Sequence, residues 1–226
     1  MLAMRVLTLD VGNSSVDVCF FDGELRYVGK FAHRELPRLE ASKVLVSSVK
    51  PSYEPYLKDL YPHAELLRPE DVPLETSGID KGKVGIDRLL NLYGALRLYS
   101  KDIILVSFGT ALVVDLAVDG VYMGGFITLG LLSSLKCLHE RAELLPELSL
   151  EKVEALIGTD TRSAMLGGLF AQTSSYIAYC KERWERHFKK ELQLLLTGGD
   201  GRLFENMGLY DPLLIHRSML NLAGFL

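Results

Sequence analysis

Cysteine and tryptophan are scarce in this 226-residue chain, and neither sign of charge is in large excess. The three cysteines, Cys19, Cys137 and Cys180, are odd in number, far apart and without a CxxC pair. That excludes a disulfide framework and a thiolate metal site, and leaves them as reduced core residues. No apolar run reaches the roughly 20 residues needed to span a bilayer. The first residues lack the basic, apolar and small-residue zones of a secretory leader, so a cytoplasmic protein without a membrane partner is expected. Lys and Arg number 25 against 29 Asp and Glu, a net charge of −4, which gives no basic field for nucleic acid. His33, His63, His139, His187 and His216 show no metal-ligand spacing and read as structural or surface residues. There is no GxxxxGK[ST] segment and no GxSxG elbow, so neither a P-loop kinase nor a serine hydrolase has an anchor.

What is present is a core and a strand-helix pattern. At 48% hydrophobic and 24% charged, the chain can fill one large domain or two small ones. Apolar runs at 4–10 and 16–21 read as paired strands, and a third, 24–31, follows the Asp22-Gly23 turn. A short helix is expected over Pro37–Ala41, a buried strand over Val44–Val49, a helix over Tyr53–Leu60 and a short strand over Glu65–Leu67. Residues 69–83 read as a long loop. Leu89, Leu90, Tyr93, Leu96 and Leu98 recur at helical spacing behind Gly85-Ile86-Asp87-Arg88. Further strands are expected at Ile103–Val106, Ala111–Leu116, Tyr122–Ile127, Leu192–Leu196 and Leu213–Ile215. Helices are expected over 131–143, 150–157, 162–188 and 216–224. The Gly167-Gly168 pair in the longest of these costs helix propensity, which close approach of another helix or a ligand would offset.

The first turn carries the chemistry. Asp10 ends an apolar strand and runs into Val11-Gly12-Asn13-Ser14-Ser15 before the next strand begins at Val16-Asp17. A carboxylate, a glycine that lets the backbone approach, and a cluster of donors suit a polyphosphate with its divalent cation. An ordinary polar hairpin tip would look the same in isolation. The stretch has an echo: at an offset of 97 residues Asp10-Val11-Gly12-Asn13 falls on Ser107-Phe108-Gly109-Thr110, and Asp22-Gly23 on Asp119-Gly120. Strand, turn, strand, DG and strand recur together, which points to duplication. The fold expected is therefore α/β, two related halves over 1–102 and 103–226 with a central cleft between them.

The segments Asp10–Ser14, Ser47-Ser48-Val49-Lys50-Pro51, Val84–Leu89, Phe108–Ala111, Gly124–Ile127 with Gly130, Ile157–Thr161 with Gly168, and Thr197-Gly198-Gly199 resemble, in order and spacing, the type III pantothenate kinases. These belong to the actin/hexokinase/Hsp70-like ATPase superfamily, whose domains are ribonuclease H-like. The resemblance implies ATP-dependent phosphorylation of pantothenate to 4′-phosphopantothenate, the first step towards coenzyme A. It implies ATP binding by Asp10, Val11, Gly12, Asn13, Ser14, Ser15, Val16 and Asp17, by Gly109 and Thr110, and by Gly198 and Gly199. Asp10 would lie at Mg²⁺ and Asp87 would be the general base. Gly85, Ile86, Asp87, Arg88 and Thr161 would contact pantothenate; the Arg88 guanidinium suits the carboxylate of pantothenate, or else a surface or structural ion pair. A homodimer and a monovalent cation, K⁺ or NH₄⁺, are further family traits.

Two positions depart from that pattern. The family has Asp where this chain has Ser107, at the monovalent cation. A hydroxyl is a neutral and weaker ligand, so the site is weak, shifted to a neighbour such as Asp115, or lost. The family's pocket Tyr, seven residues before the GxDR glycine, is Gly78 here, so one wall of the acceptor pocket is built differently. Two other readings stay open: a same-fold kinase for another small acceptor, and a catalytically weak homologue with a regulatory or binding role.

Overall fold

The computed structural model describes residues 5–153 and 156–226. Met4, at the head of the first expected strand, and residues 154 and 155, within the helix expected over 150–157, lie outside them. The chain divides into two units, Met1–Tyr99 with Leu213–Leu226, and Ser100–Pro212.

The first unit is a five-stranded mixed sheet. Its strands are β1 (Val6–Val11), β2 (Val16–Phe21), β3 (Leu25–Phe31), β4 (Lys43–Ser48) and β5 (Glu65–Leu66), in the order β3-β2-β1-β4-β5. β1 pairs antiparallel with β2 and parallel with β4, in a register that sets Asp10 opposite both Asp17 and Ser47. β1 is apolar almost throughout because it is central and covered on both faces. On one face Leu7, Leu9, Val11, Val16, Val18, Val44 and Val46 form a core with Leu57 and Tyr61. Leu57 belongs to α1 (Glu54–Leu60).

The other face receives α2 (Ile86–Leu98) and α5 (Leu214–Leu222). These helices close to the point where a Cβ on Gly94 would lie 1.9 Å from Ser218 Oγ. A buried hydrogen bond, Thr8 Oγ1 to His216 Nδ1 at 2.8 Å, ties α5 to the central strand.

The second unit repeats the plan. Its strands are β6 (Ile103–Phe108), β7 (Ala111–Val118), β8 (Val121–Leu129), β9 (Gln193–Thr197) and β10 (Leu209–Tyr210), in the order β10-β9-β6-β7-β8. β6 is antiparallel to β7 and parallel to β9, as β1 is to β2 and β4. β6 occupies the positions of β1 shifted by the 97 residues of the sequence repeat. Ile104, Val106, Phe108, Leu112, Val114 and Leu116 pack with Met165, Leu166, Leu169, Ile177 and Cys180. The last five lie on α4 (Thr161–Phe188), beside which runs α3 (Leu131–Arg141).

Several expectations are corrected. Pro37–Ala41 is irregular, not helical. The Tyr61 hydroxyl donates to the Pro37 carbonyl and accepts from Leu39 N–H, taking the groups a helix would use. Leu213–Ile215 is the entry to α5 rather than a strand, and the last strand is β10. Three apolar residues fit either element, and burial of Leu214, Ile215, Ser218 and Met219 along one side selects the helix. Residues 150–153 are not helical. The chain beyond Leu213 packs with the first unit, whereas the expected domain over 103–226 held it in the second. Among the described residues nothing lies within 4 Å of a Cβ built on Gly167 or Gly168, so no close helix contact there explains that pair. Among the described residues no helix is long and apolar enough to cross a membrane.

Candidate active site

In the first unit the site begins at the end of β1. Val11 and Val16 bury their side chains completely in the core, so at these positions only backbone is left to a ligand. Between them the chain turns tightly, with Gly12 N–H donating to Ser15 O at 2.9 Å. Asp10 lies just before the turn on the opposite face of β1 from the core. Burial, with Asp87 and Asp17 nearby, pushes its carboxyl up from 3.8 to about 7, against the pull of Ser47 and Lys30. The carboxylate of Asp17 is engaged: Tyr27 donates to it at 3.0 Å and Lys30 lies 3.4 Å away.

Asp87 is in the first turn of α2, where the helix dipole favours a carboxylate. Its Oδ1 accepts from Arg88 N–H at 2.9 Å. A Cβ on Gly85 would stand 2.5 Å from that same oxygen and 3.8 Å from Val49 Cγ1. The glycine thus leaves the space into which the carboxylate folds, beside the end of β4. Asp10, Asp87 and the turn come together in one unit. Ile86 anchors α2, buried to 5% exposure, so a ligand contact there falls to its backbone.

Two residues that sequence reasoning left aside also meet the turn. His33 Nε2 bonds Gly12 O at 2.9 Å, and Lys50 Nζ donates to Asn13 O at 3.2 Å. His33 is 21 residues from Gly12 and carries no ligand-like spacing, so nothing in the sequence marked it. Lys50 lay within a segment quoted for its resemblance, with no role attached.

In the second unit the corresponding turn is built from glycines. Gly109 N–H donates to Ala111 O at 3.0 Å. A Cβ on Gly130, which precedes α3, would fall 1.9 Å from Gly109 O, and one on Gly198 2.1 Å from Phe108 O. Gly198 also has φ 87°, a conformation that L side chains rarely adopt. Gly130 N–H and Ser133 Oγ both donate to Thr110 O, at 2.9 and 2.8 Å. Gly109, Thr110 and Gly198 are therefore one packed constellation, with Gly199 beginning the 3-10 helix that follows, Gly199–Phe204. Thr161 opens α4 with its side chain exposed, next to the capping residue Asp160.

The expected cations can be tested against these groups. Among the described residues no group of three His, Cys, Asp or Glu could hold a metal. Mg²⁺ commonly takes one or two carboxylates and completes its shell with water and substrate phosphate. Asp10, whose charge is disfavoured by burial and by two carboxylates, is a donor that a divalent cation would relieve. Ser107 Oγ is buried without a hydrogen-bond partner, the state of a hydroxyl short of a ligand. Asp115, the alternative, is 1% exposed and accepts from Tyr122 OH at 2.8 Å.

Comparison with known proteins follows the same lines. The family model for type III pantothenate kinase matches residues 6–183. The chain is 39% identical to the type III pantothenate kinase of Aquifex aeolicus over 222 residues, 97% of each chain. It is 27% identical to that of Hyphomonas neptunium over 250 aligned positions, covering 95% of this chain and 97% of the relative. A crystal structure of a conserved Baf family protein from Campylobacter jejuni shares the fold at TM-score 0.70 and 23% identity, with 96% of each chain covered.

Proposed function

The chain belongs to the type III pantothenate kinase family, and from that premise we propose how its residues divide the work of phosphorylating pantothenate on the path to coenzyme A. The carrying observation is the proximity of Asp10 and Asp87, close enough for the charge of one to raise the carboxyl of the other. Phosphoryl transfer needs the phosphate charge neutralised, the two oxygens held in line, and a sink for the acceptor proton.

Asp10 would hold Mg²⁺, which when bound would supply charge neutralisation for the ATP phosphates. Gly12 and Gly109, whose own N–H groups close the two turns, let the backbone approach, and phosphate oxygens are received at Asn13, Ser14 and Ser15 in the first turn and at Thr110 in the second. Gly198 and Gly199 lie against the nucleoside. Asp87 accepts the hydroxyl proton of pantothenate as its oxygen attacks. Arg88 holds the pantothenate carboxylate, and Gly85, Ile86 and Thr161 complete its contacts.

The monovalent cation is weakly held or absent. The buried Ser107 hydroxyl has no partner but offers no charge, and Asp115 is bonded to Tyr122 and packed against Gly125. A homodimer is part of the same reading. Leu129 and Leu138 are exposed beside Gly168 in a hollow of about 440 Å³ on the second unit, an apolar surface suited to a second copy. The location is cytoplasmic, with ATP as the co-substrate.

The test is direct: purified protein with Mg·ATP and pantothenate, assayed for phosphopantothenate with and without K⁺ or NH₄⁺. Formation of product with little response to the cation is the expected result. No product under any cation would remove the kinase reading for this chain and leave a binding or regulatory role. A strong requirement for K⁺ would overturn the Ser107 argument alone.

A further inference from the structure

The side chains that meet the first phosphate turn from outside have a single consistent hydrogen-bonding pattern. Gly12 O can only accept, so His33 Nε2 must carry the proton that bonds it at 2.9 Å. In the neutral ring Nδ1 is then an acceptor, and it faces Lys50 Nζ at 3.4 Å. Lys50 in turn donates to Asn13 O at 3.2 Å. His33 is itself fixed. Its backbone carbonyl accepts from Tyr53 OH at 2.5 Å, and its ring packs edge-on to Tyr53 with centroids 4.9 Å apart. Tyr53 is buried. Lys50 is the second residue after β4, next to Val49, whose N–H donates to Val11 O at 3.0 Å.

Two successive carbonyls of the turn are thus drawn to one side. No described peptide is cis. In a trans peptide the C=O and N–H point in opposite directions. The carbonyl of Gly12 fixes the direction of Asn13 N–H, and that of Asn13 fixes Ser14 N–H. Both donors are turned away from His33 and Lys50, as adjacent donors of an anion-binding nest must be.

We propose that His33 and Lys50 are positioning residues, which hold the 12–13 and 13–14 peptides so that Asn13 and Ser14 N–H face a phosphate of the nucleotide. This rests on the assignment of the turn to ATP in the functional reading above. Neither side chain touches the phosphate. They act by keeping the turn from rotating a carbonyl into the site, where it would repel the ligand.

The experiment compares His33→Ala, His33→Gln, Lys50→Met and the double variant His33→Ala/Lys50→Met in the full chain. Readouts are KM for ATP, kcat, Kd for Mg·ADP by calorimetry, and melting temperature without nucleotide. Loss of one net hydrogen bond to the turn is worth up to about a tenfold change. His33→Ala and Lys50→Met should each raise KM and Kd by about five- to tenfold with kcat within about twofold. Gln can present a donor and an acceptor much as the ring does, so His33→Gln should recover to within about threefold of the parent. The double variant should be no worse than the poorer single one, because both act on one turn.

Unchanged Kd in His33→Ala, or His33→Gln as poor as Ala, would overturn the proposal. A double variant that loses the product of the single effects would make Lys50 a direct phosphate ligand, and also overturn it. Should His33→Ala fail to fold, His33→Gln and Lys50→Met still decide. Mg·ADP binding is read without pantothenate, so failure of the kinase assay in the parent would count against the acceptor assignment while leaving this test intact.

Discussion

Replacing Asp10 by Asn should make the metal-free protein more stable and the enzyme worse. In the folded chain the Asp10 carboxyl is pushed from 3.8 to about 7, by burial first and then by Asp87 and Asp17. That interval corresponds to about 4 kcal/mol at roughly 1.4 kcal/mol per tenfold. Solvent reaching a partly exposed side chain lowers the usable figure to about 2 kcal/mol.

Between these two values the folded state holds a proton on Asp10 that the unfolded state has released, so this group makes stability fall as pH rises from about 4 to 7. His216 acts in the opposite sense. Burial lowers it from 6.5 to about 3, so the unfolded state takes up a proton that the native state refuses, and stability falls as pH drops below 6.5. In the wild type the two slopes offset each other across the shared window.

Asn removes the first and leaves the second. At pH 8 the variant should gain about 2 kcal/mol, or roughly 4–8 °C in melting temperature for a chain of this size. That gain should shrink to nothing towards pH 4. Its stability should fall as pH drops from 6.5 to 4.5, by up to about 1.4 kcal/mol per pH unit. The assay is thermal and urea unfolding in EDTA across pH 4–8, with the same scans in excess Mg·ADP, which should stabilise the parent far more than the variant. A melting temperature at pH 8 that is unchanged or lower would refute the reasoning, as would a gain that persists at pH 4.

Asp87→Asn keeps the shape and the Arg88 N–H acceptor, so it should retain the melting temperature while kcat falls about 10²–10⁴-fold; near-parental turnover would remove Asp87 as the base. Gly85→Ala puts a methyl 2.5 Å from Asp87 Oδ1 with φ −56° that alanine tolerates. It should cost about 10²-fold in kcat through displacement of the carboxylate, with little change in thermal stability. Gly198→Ala meets Phe108 O at 2.1 Å and a φ of 87°, and should lose about 2–4 kcal/mol in urea unfolding. Gly199→Ala, with open space around it, should be close to neutral in the same measurement.

Much of the sheet was legible because the central strands are covered on both faces and read as short continuous β-branched or leucine runs. The repeat was legible because a DG turn and a strand–turn–strand layout recur at one offset, and the two sheet orders match it. Short segments with few apolar residues were not. Pro37–Ala41 is decided by a hydroxyl about 20 residues away on Tyr61, and Leu213–Ile215 by which side of α5 meets β1. No local pattern carries either fact.

The turn that opens the chain divides along the same line. The sequence by itself determined the motif at Asp10, the α/β class and the duplication, because these depend on residue type and spacing, while the candidate role of Asp87 came with the resemblance to the kinase family. Only the tertiary structure decided that Gly85 makes room for the Asp87 carboxylate, that burial and like charge lift Asp10 to about 7, and that His33 and Lys50 grip the turn from outside. These depend on distances between residues far apart in the chain, and such distances exist only once the strands have paired and the helices have packed.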